Sequence, residues 1–394
     1  MIVQNDKLTY TPDSTGIEAL SLILNTDKNM LMEQILFFDI ETTGFAAKNT
    51  VCYLIGCVYH KDNNWHYIQW YANSPSDEIL VIFNFFEFAQ NYKYLVHFNG
   101  DGFDIPYILD KCKMLHLPYN FDNFTSIDLL KASKEIKELL KLENHKQKTV
   151  EAFLGIVRDD KYSGGELINV YRELPKLAIG DDKSAYNEAC DLLLLHNHDD
   201  ICSLVTLTGI FNYLCFQPDN ITYAINDTLD YSGEPVKEIL FTFAIPVKAP
   251  ATVSYGKEPY YFKIAENNAY LRVRMFEGEL KHFFTNHKDY YYLPDEDKAI
   301  HKSVAFYVDK NFRTQAKAIN CYIKKSGVFL PQQTELETPH FRDNYNDKQT
   351  YFELNDSFLN DSAKVTAYVN HIIKYLLPSY RRTSYHTHNQ DRDD

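Results

Sequence analysis

Residues 35–44 read Ile-Leu-Phe-Phe-Asp-Ile-Glu-Thr-Thr-Gly, and this string constrains the chain more than any other. The apolar run Ile35–Ile40 is rich in β-formers and closes on a Thr-Gly turn signal, the pattern of a short strand. Side chains two apart on a strand share a face, so Asp39 and Glu41 project side by side. Two carboxylates held this close repel each other and resist ionisation. A bare Asp-x-Glu is more often an ordinary strand end with two solvated acids. Apolar surroundings point instead to a hard divalent cation held by oxygen ligands, with Mg²⁺ the usual ion where phosphates also ligate.

Two further acidic motifs follow. Tyr94–Phe98 is an apolar strand leading through the tight loop Asn99–Gly102 into a helix over Phe103–Leu115, which places Asp104 at the start of that helix. Asp is a favoured N-cap and Pro106 suits a first helical turn, so capping and ligation are both open to Asp104. Asp101, between two glycines where the backbone is loosest, ranks below it. The third motif is His196-Asn197-His198-Asp199-Asp200 within a strongly helical stretch, Ala185–Phe216, expected to break into two helices near His196. Residues i and i+4 share a helix face, so His196 and Asp200 reach one point while Asp199 turns away.

The remaining pattern in the first half is strand-like at Cys52–Tyr59 and Trp65–Tyr71, an antiparallel meander with Ile35–Ile40. A helix over Asp77–Asn91 is expected to start from Ser74 or Ser76 as N-cap, and a short strand lies near Ser126–Leu129. Strands first, then alternating β and α, indicate a mixed sheet flanked by helices. After Gln217-Pro218 aromatic residues become dense and strand-like segments appear at Glu238–Pro246, Tyr260–Ile264 and Ala269–Met275. Helical periodicity returns at Ala363–Leu377. The fold class is therefore α/β: a mixed sheet flanked by helices, then a smaller aromatic-rich α+β domain. The boundaries read as an N-terminal extension 1–34, a first domain 35–216, a second domain 217–378 and a polar tail 379–394.

The 394 residues carry a net charge of −14, unevenly placed: the first 215 hold 18 Lys+Arg against 30 Asp+Glu, the remainder 22 against 24. An acidic half does not coat nucleic acid by bulk electrostatics, because phosphate binding is driven by Lys and Arg. It remains compatible with a site that meets phosphate through bound cations. The seven cysteines are odd in number and lack a Cys-x-x-Cys pair, which suits reduced thiols and a cytoplasmic location. The first residues lack a signal-peptide layout, and no apolar run is long enough for a bilayer, so no membrane partner is expected. The paired glycines 164–165 are not followed by the Lys-Ser/Thr of a P-loop, no Gly-x-Ser-x-Gly elbow occurs, and no Cys/His spacing suits zinc.

Acids in the order Asp-x-Glu, Asp, Asp, each beside an apolar element, are what two-metal phosphodiester hydrolysis requires, with cations ~3.5–4 Å apart. A histidine nearby can orient the attacking water or take its proton. These motifs resemble the DEDD exonuclease superfamily of the ribonuclease-H fold, most closely its YprB-type ribonuclease-H-like domains. The resemblance covers residues 35–215 and includes the segments 99–104, 127–130, 149–155 and 163–167 as well as the three acidic motifs. It implies Asp39, Glu41, Asp104 and Asp200 as ligands of two Mg²⁺ ions, with Mn²⁺ as a substitute, and a 3′–5′ exonuclease acting on single-stranded ends of DNA or RNA. It adds Thr42, Asn99 and Phe103 as substrate contacts. In the superfamily's third motif, Tyr-x3-Asp or His-x4-Asp, His196 fills the tyrosine slot. A His-x4-Asp reading would put Ile201 in the ligand position; YprB-type domains resemble the His-Asn-x-x-Asp form seen here, and that resemblance implies Asp200 as ligand and His196 in catalysis. The alternative is a ribonuclease-H-like scaffold that binds nucleic acid or a partner without cutting. In the second domain, Lys310, Arg313, Lys317, Lys324 and Lys325 surround aromatics; the aromatics read first as core, and otherwise as a strand-guiding patch.

Overall fold

The run carrying Asp39 and Glu41 becomes a central strand. The computed structural model describes residues 1–158, 162, 164–179, 183–229 and 232–380. The described residues divide into two compact units, one formed by those within 1–216 with 246–251 and 379–380, the other by those within 217–245 with 252–378.

The first unit opens with β1 (Ile2–Lys7), α1 (Thr15–Ile23) and α2 (Lys28–Gln34), followed by the meander β2 (Ile35–Thr42), β3 (Cys52–Lys61) and β4 (Asn64–Tyr71). Next come α3 (Glu78–Ala89), β5 (Tyr94–His97), α4 (Asp104–Met114), β6 (Thr125–Asp128), α5 (Leu129–Glu135), α6 (Lys137–Leu140) and α7 (Gln147–Phe153). Two longer helices, α8 (Gly164–Ile179) and α9 (Lys183–Leu207), complete it. Its sheet runs β1-β4-β3-β2-β5-β6, antiparallel through β2 and parallel from β2 to β6. Residues 1–34, set apart by sequence as an extension, supply the edge strand β1 and two helices to this unit.

Strand β2 has helices on both faces, so its first four residues are all apolar and fully buried. Phe38 meets Phe85 at 5.3 Å and Phe121 at 6.3 Å. Phe85 belongs to the stripe Val81, Ile82, Phe85, Phe86 and Ala89, the buried face of α3. Each such large apolar side chain contributes about 1.5–3 kcal/mol on burial. The start of α3 differs from expectation. A 3₁₀ turn at Pro75–Asp77 precedes it, Ser74 and Ser76 hydrogen-bond each other at 2.7 Å, and neither caps the helix.

Helix α9 also departs from expectation. It runs unbroken through His196, because no Gly or Pro interrupts residues 183–207 and its polar cluster is engaged within the fold rather than solvated. It packs across β2 and β3 with Leu193, Leu194, Asn197 and Ile201 buried. Close approach is possible because β3 presents Gly56, where a Cβ would lie 2.0 Å from Asn197 Oδ1.

The second unit contains β7 (Thr222–Leu229), β8 (Pro235–Ala244), β9 (Val253–Lys257), β10 (Tyr260–Ala265), β11 (Asn268–Arg274) and β12 (Phe276–Phe283). Then follow β13 (Tyr290–Leu293), β14 (Lys298–His301), α10 (Lys302–Ala305), β15 (Thr314–Gln315), β16 (Tyr322–Gln332), β17 (His340–Phe341), β18 (Thr350–Glu353), α11 (Asp356–Leu359) and α12 (Ser362–Leu376). Three antiparallel sheets result, ordered β7-β8-β11-β10-β9, β12-β16-β18-β17 and β14-β13-β15. The aromatic run Tyr290–Tyr292 on β13 is half-buried. Of the polar tail, Arg381–Asp394 lies outside the described residues. Among the described residues no helix is long and apolar enough to cross a membrane.

Gly56→Ala forces its methyl into Asn197 and pushes α9 from the sheet, at a cost of about 1–3 kcal/mol as for other overpacked sites. Urea unfolding measures it, and an unchanged midpoint would mean that the helix can yield freely.

Candidate metal centre

Strand β2 pairs with β5 only from Ile35 to Phe37; beyond Val96 the chain turns away into the loop 98–103. The backbone N–H of Ile40 is therefore left without a ladder partner on that side. Asp104 takes it, accepting from Ile40 N at 3.2 Å through Oδ1. Its carboxylate is thereby fixed beside the backbone that joins Asp39 to Glu41. Capping, one of the two roles open to Asp104, is not what it does: Asp104 is the first residue of α4, and the preceding Phe103 makes no side-chain cap. On the other edge β2 pairs with β3, with an irregularity between Glu41 and Thr42 of the kind that re-aims side chains at sites.

From α9, His196 and Asp200 reach the same place. His196 Nε2 lies 3.5 Å from Glu41 Oε1 and 3.3 Å from Asp200 Oδ2, and Glu41, His196 and Asp200 have ligand atoms within 4.8 Å of one another. Asn197, on the sheet-facing side, donates to Asp39 Oδ2 at 3.1 Å while its own Oδ1 accepts from Gln69 at 2.9 Å. Asp39 feels all three other acids: burial first, then Asp104, Asp200 and Glu41 raise its carboxyl well above the ordinary range, with Arg158 opposing. Burial likewise pushes Asp104 up to about 7, although the N–H groups of Asp104 and Ile40 oppose it. Asp200 is raised by burial against the pull of Arg158 and His196.

The structure thus brings Asp39, Glu41, Asp104, His196 and Asp200 together from β2, α4 and α9. The three expected substrate contacts sit at the periphery of this group. Thr42 is buried and its hydroxyl donates to Gly44 O at 2.9 Å, fixing the loop after β2. Asn99 is exposed in a left-handed conformation, φ 64°, and Phe103 lines a pocket of about 370 Å³ with Phe45, Tyr107 and Met114.

Four residues carry weight here that sequence reasoning did not assign: Arg158, Glu151, Ser203 and Asn197. Arg158 donates to both carboxylate oxygens of Glu151 and to Asp200, and these three form one buried network with Ser203, whose hydroxyl donates to Glu151 at 2.5 Å. No spacing in a single sequence marks Arg158. Asn197 was findable, as a polar residue inside the apolar stripe of Leu193, Leu194 and Ile201. A second group with ligand-like spacing, His97, Asp101 and Asp128, is structural. His97 Nδ1 accepts from Gly100 N–H, which puts the ring proton on Nε2, 2.7 Å from Ser126 Oγ. Ser126 and Lys131 donate to Asp101, and Asp128 Oδ1 accepts from Asn99 N and Leu130 N, pinning the loop that delivers Asp104.

Four carboxylates with one guanidinium leave a buried excess of negative charge, and hard oxygen donors in such excess fit divalent cations.

Residues 36–212 match the family model of the RNase_H superfamily. No match was found among curated proteins. Among solved structures, the chain is similar to a family B DNA polymerase from the archaeon Pyrobaculum calidifontis at 17% identity and a TM-score of 0.36. That alignment covers 46% of this chain and 25% of the polymerase. An exonuclease I structure aligns at 10% identity and a TM-score of 0.31, over 56% of this chain and 54% of that one. A zinc-bound E. coli ExoI-ssDNA complex aligns at 9% identity and a TM-score of 0.27, over 89% and 74%. The chain thus spans a quarter of the polymerase and about half of the first exonuclease.

A carboxyl raised in the folded state stabilises fully below its ordinary value, near 3.8, and that contribution is lost as pH rises through the folded value, about 7 for Asp104. In chelator, the melting temperature therefore falls between pH 5 and 8 as the buried acids ionise against one another. Added Mg²⁺ recovers more at pH 8 than at pH 5. A chelated protein whose melting temperature rises across that window contradicts the crowding of these acids.

Proposed function

We propose that the first unit is a metal-dependent nuclease that hydrolyses phosphodiester bonds of DNA or RNA from 3′ ends. The observation that carries this reading is the meeting of Asp39, Glu41, Asp104 and Asp200, from three distant segments, around one buried point. These four acids hold two divalent cations, Mg²⁺ with Mn²⁺ as a substitute. Bound there, the ions supply a hydroxide at neutral pH and charge stabilisation for the leaving oxygen.

The chain's own residues do the rest. Asn197 holds the Asp39 carboxylate in one orientation, and the Ile40 N–H does the same for Asp104. His196 presents Nε2 between Glu41 and Asp200, where it orients the attacking water and accepts its proton. Arg158, anchored on Glu151, fixes Asp200 and keeps one positive charge within the acidic group. Beside the centre, the pocket formed by Phe45, Phe103, Tyr107 and Met114, with Lys48 and Lys113 among its lining, suits a terminal nucleobase over an aromatic floor. Phe45 is 90% exposed and meets Phe103 edge-on at 6.1 Å, so a ring is already presented to solvent.

End-labelled single-stranded DNA and RNA, incubated with Mg²⁺, Mn²⁺ or EDTA, test this directly. Cleavage is expected with either metal, to stop in EDTA, and to fall about 10²-fold or more in Asp39→Ala and Asp104→Ala. Binding without cleavage that survives both substitutions would favour a non-catalytic scaffold, and digestion of a circular strand would remove the requirement for an end. Phe45→Ala is expected to raise KM about tenfold with little change in kcat, the loss of one stacked base; a terminal abasic site should abolish the difference.

A further inference from the structure

The second unit carries a surface that the carboxylate centre does not explain. Residues 302–325 hold six Lys or Arg against one acid, Asp309, in a chain whose net charge is −14. Within the same stretch Phe306 is 77% exposed, Tyr307 86% and Phe312 58%. Aromatics in this unit are otherwise expected to be core, and these three are held outward by an ordered scaffold. Ala305 and Ala316 are buried, Arg313 donates to Ala305 O and lies 4.8 Å over the Tyr291 ring, and Asp309 caps the turn that carries Phe312. Lys302 pairs with Asp289, Lys324 with Asp297 and Glu279, and Lys325 with Glu353, whereas Lys310 and Lys317 are exposed with no carboxylate partner among the described residues.

We propose that this segment is a binding surface for single-stranded nucleic acid, with bases stacked on Phe306, Tyr307 and Phe312 and phosphates met by Lys310 and Lys317. Cations alone attract any polyanion; exposed rings add energy only where bases are unstacked, which selects a single strand over a duplex. The two rings Phe306 and Tyr307 stand edge to face, 5.6 Å apart, so they offer two separate faces rather than one buried pair. These observations stand independently of the nuclease reading.

The test uses the full chain carrying Asp39→Asn, in EDTA, with a fluorescein-labelled 20-nucleotide oligothymidylate read by anisotropy. Adding Phe306→Ala with Tyr307→Ala is expected to weaken binding at least about tenfold, with an unchanged circular dichroism melt because both rings are exposed. Adding Lys310→Ala with Lys317→Ala instead should lower the slope of log K against log salt by about 0.7 for each lysine. Unchanged affinity in the aromatic variant, or an equal loss for duplex of the same length, overturns the proposal. So does binding to phosphatidylglycerol vesicles that the aromatic pair controls while strand binding does not depend on it. Strand binding that persists while the wild-type chain fails to cleave with Mg²⁺ would remove the nuclease reading and leave this one standing.

Discussion

Like charges crowded into a buried volume set the terms for the first unit. An isolated carboxylate resists leaving water, and a second one nearby raises the cost again. Four of them are tolerated only if each is held by something that does not relax away. The fold does this with backbone at Asp104 and with side chains at Asp39 and Asp200. The parting of β2 and β5 after Phe37 frees the Ile40 N–H that anchors Asp104, and β3 holds the other edge of the strand bearing Asp39 and Glu41. The acids sit on rigid elements, where the loss of one hydrogen bond cannot swing them into solvent.

Counter-charge is supplied sparingly. Arg158 meets Asp200, but most of its hydrogen-bonding capacity is spent on Glu151, an acid outside the centre that is itself bound by Ser203 and Gln147. A buried pair of this kind is weak evidence for stability, since desolvation offsets much of the attraction. Its consequence is geometric. Gln147 also donates to the backbone carbonyl of Asp200, so α7 and the segment after it are tied to the turn of α9 that carries Asp200. Full neutralisation by side chains would leave the acids nothing to gain from a cation. The single guanidinium leaves that gain in place.

Much of this was legible in the sequence, for identifiable reasons. The period of two exposed Asp39 and Glu41 as one pair, and the period of 3.6 put His196 and Asp200 on one face of α9. Both periods survive folding because local geometry alone decides them. What escaped was non-local. Asp104 looked equally suited to capping its own helix, and the choice fell to a strand 64 residues away whose N–H had lost its partner. The expected break near His196 failed because Gln69 and Asp39 engage Asn197, satisfying polar atoms that a solvated turn would otherwise serve. Phe312, among the aromatics of 309–325 read first as core, faces outward, as do Phe306 and Tyr307 just before them, and no periodicity in so short a segment could show this.

The uneven charge of the chain gives these features a common electrostatic logic. The first 215 residues, with 30 acids against 18 bases, repel a polyanion in the absence of bound cations. On the proposed nuclease reading, phosphate becomes welcome at the carboxylates only when divalent ions reverse the local sign, so affinity there is conditional on metal. Residues 302–325 need no such reversal, because their own sequence carries an excess of positive charge and, in the binding mode proposed for them, their exposed rings meet bases rather than phosphate. Salt acts on the two in different ways as well. Monovalent ions screen exposed lysines readily, whereas they displace a divalent ion from buried carboxylates poorly. On the two proposals, one chain presents a polyanion with two kinds of attraction, one governed by divalent metal and the other by ionic strength.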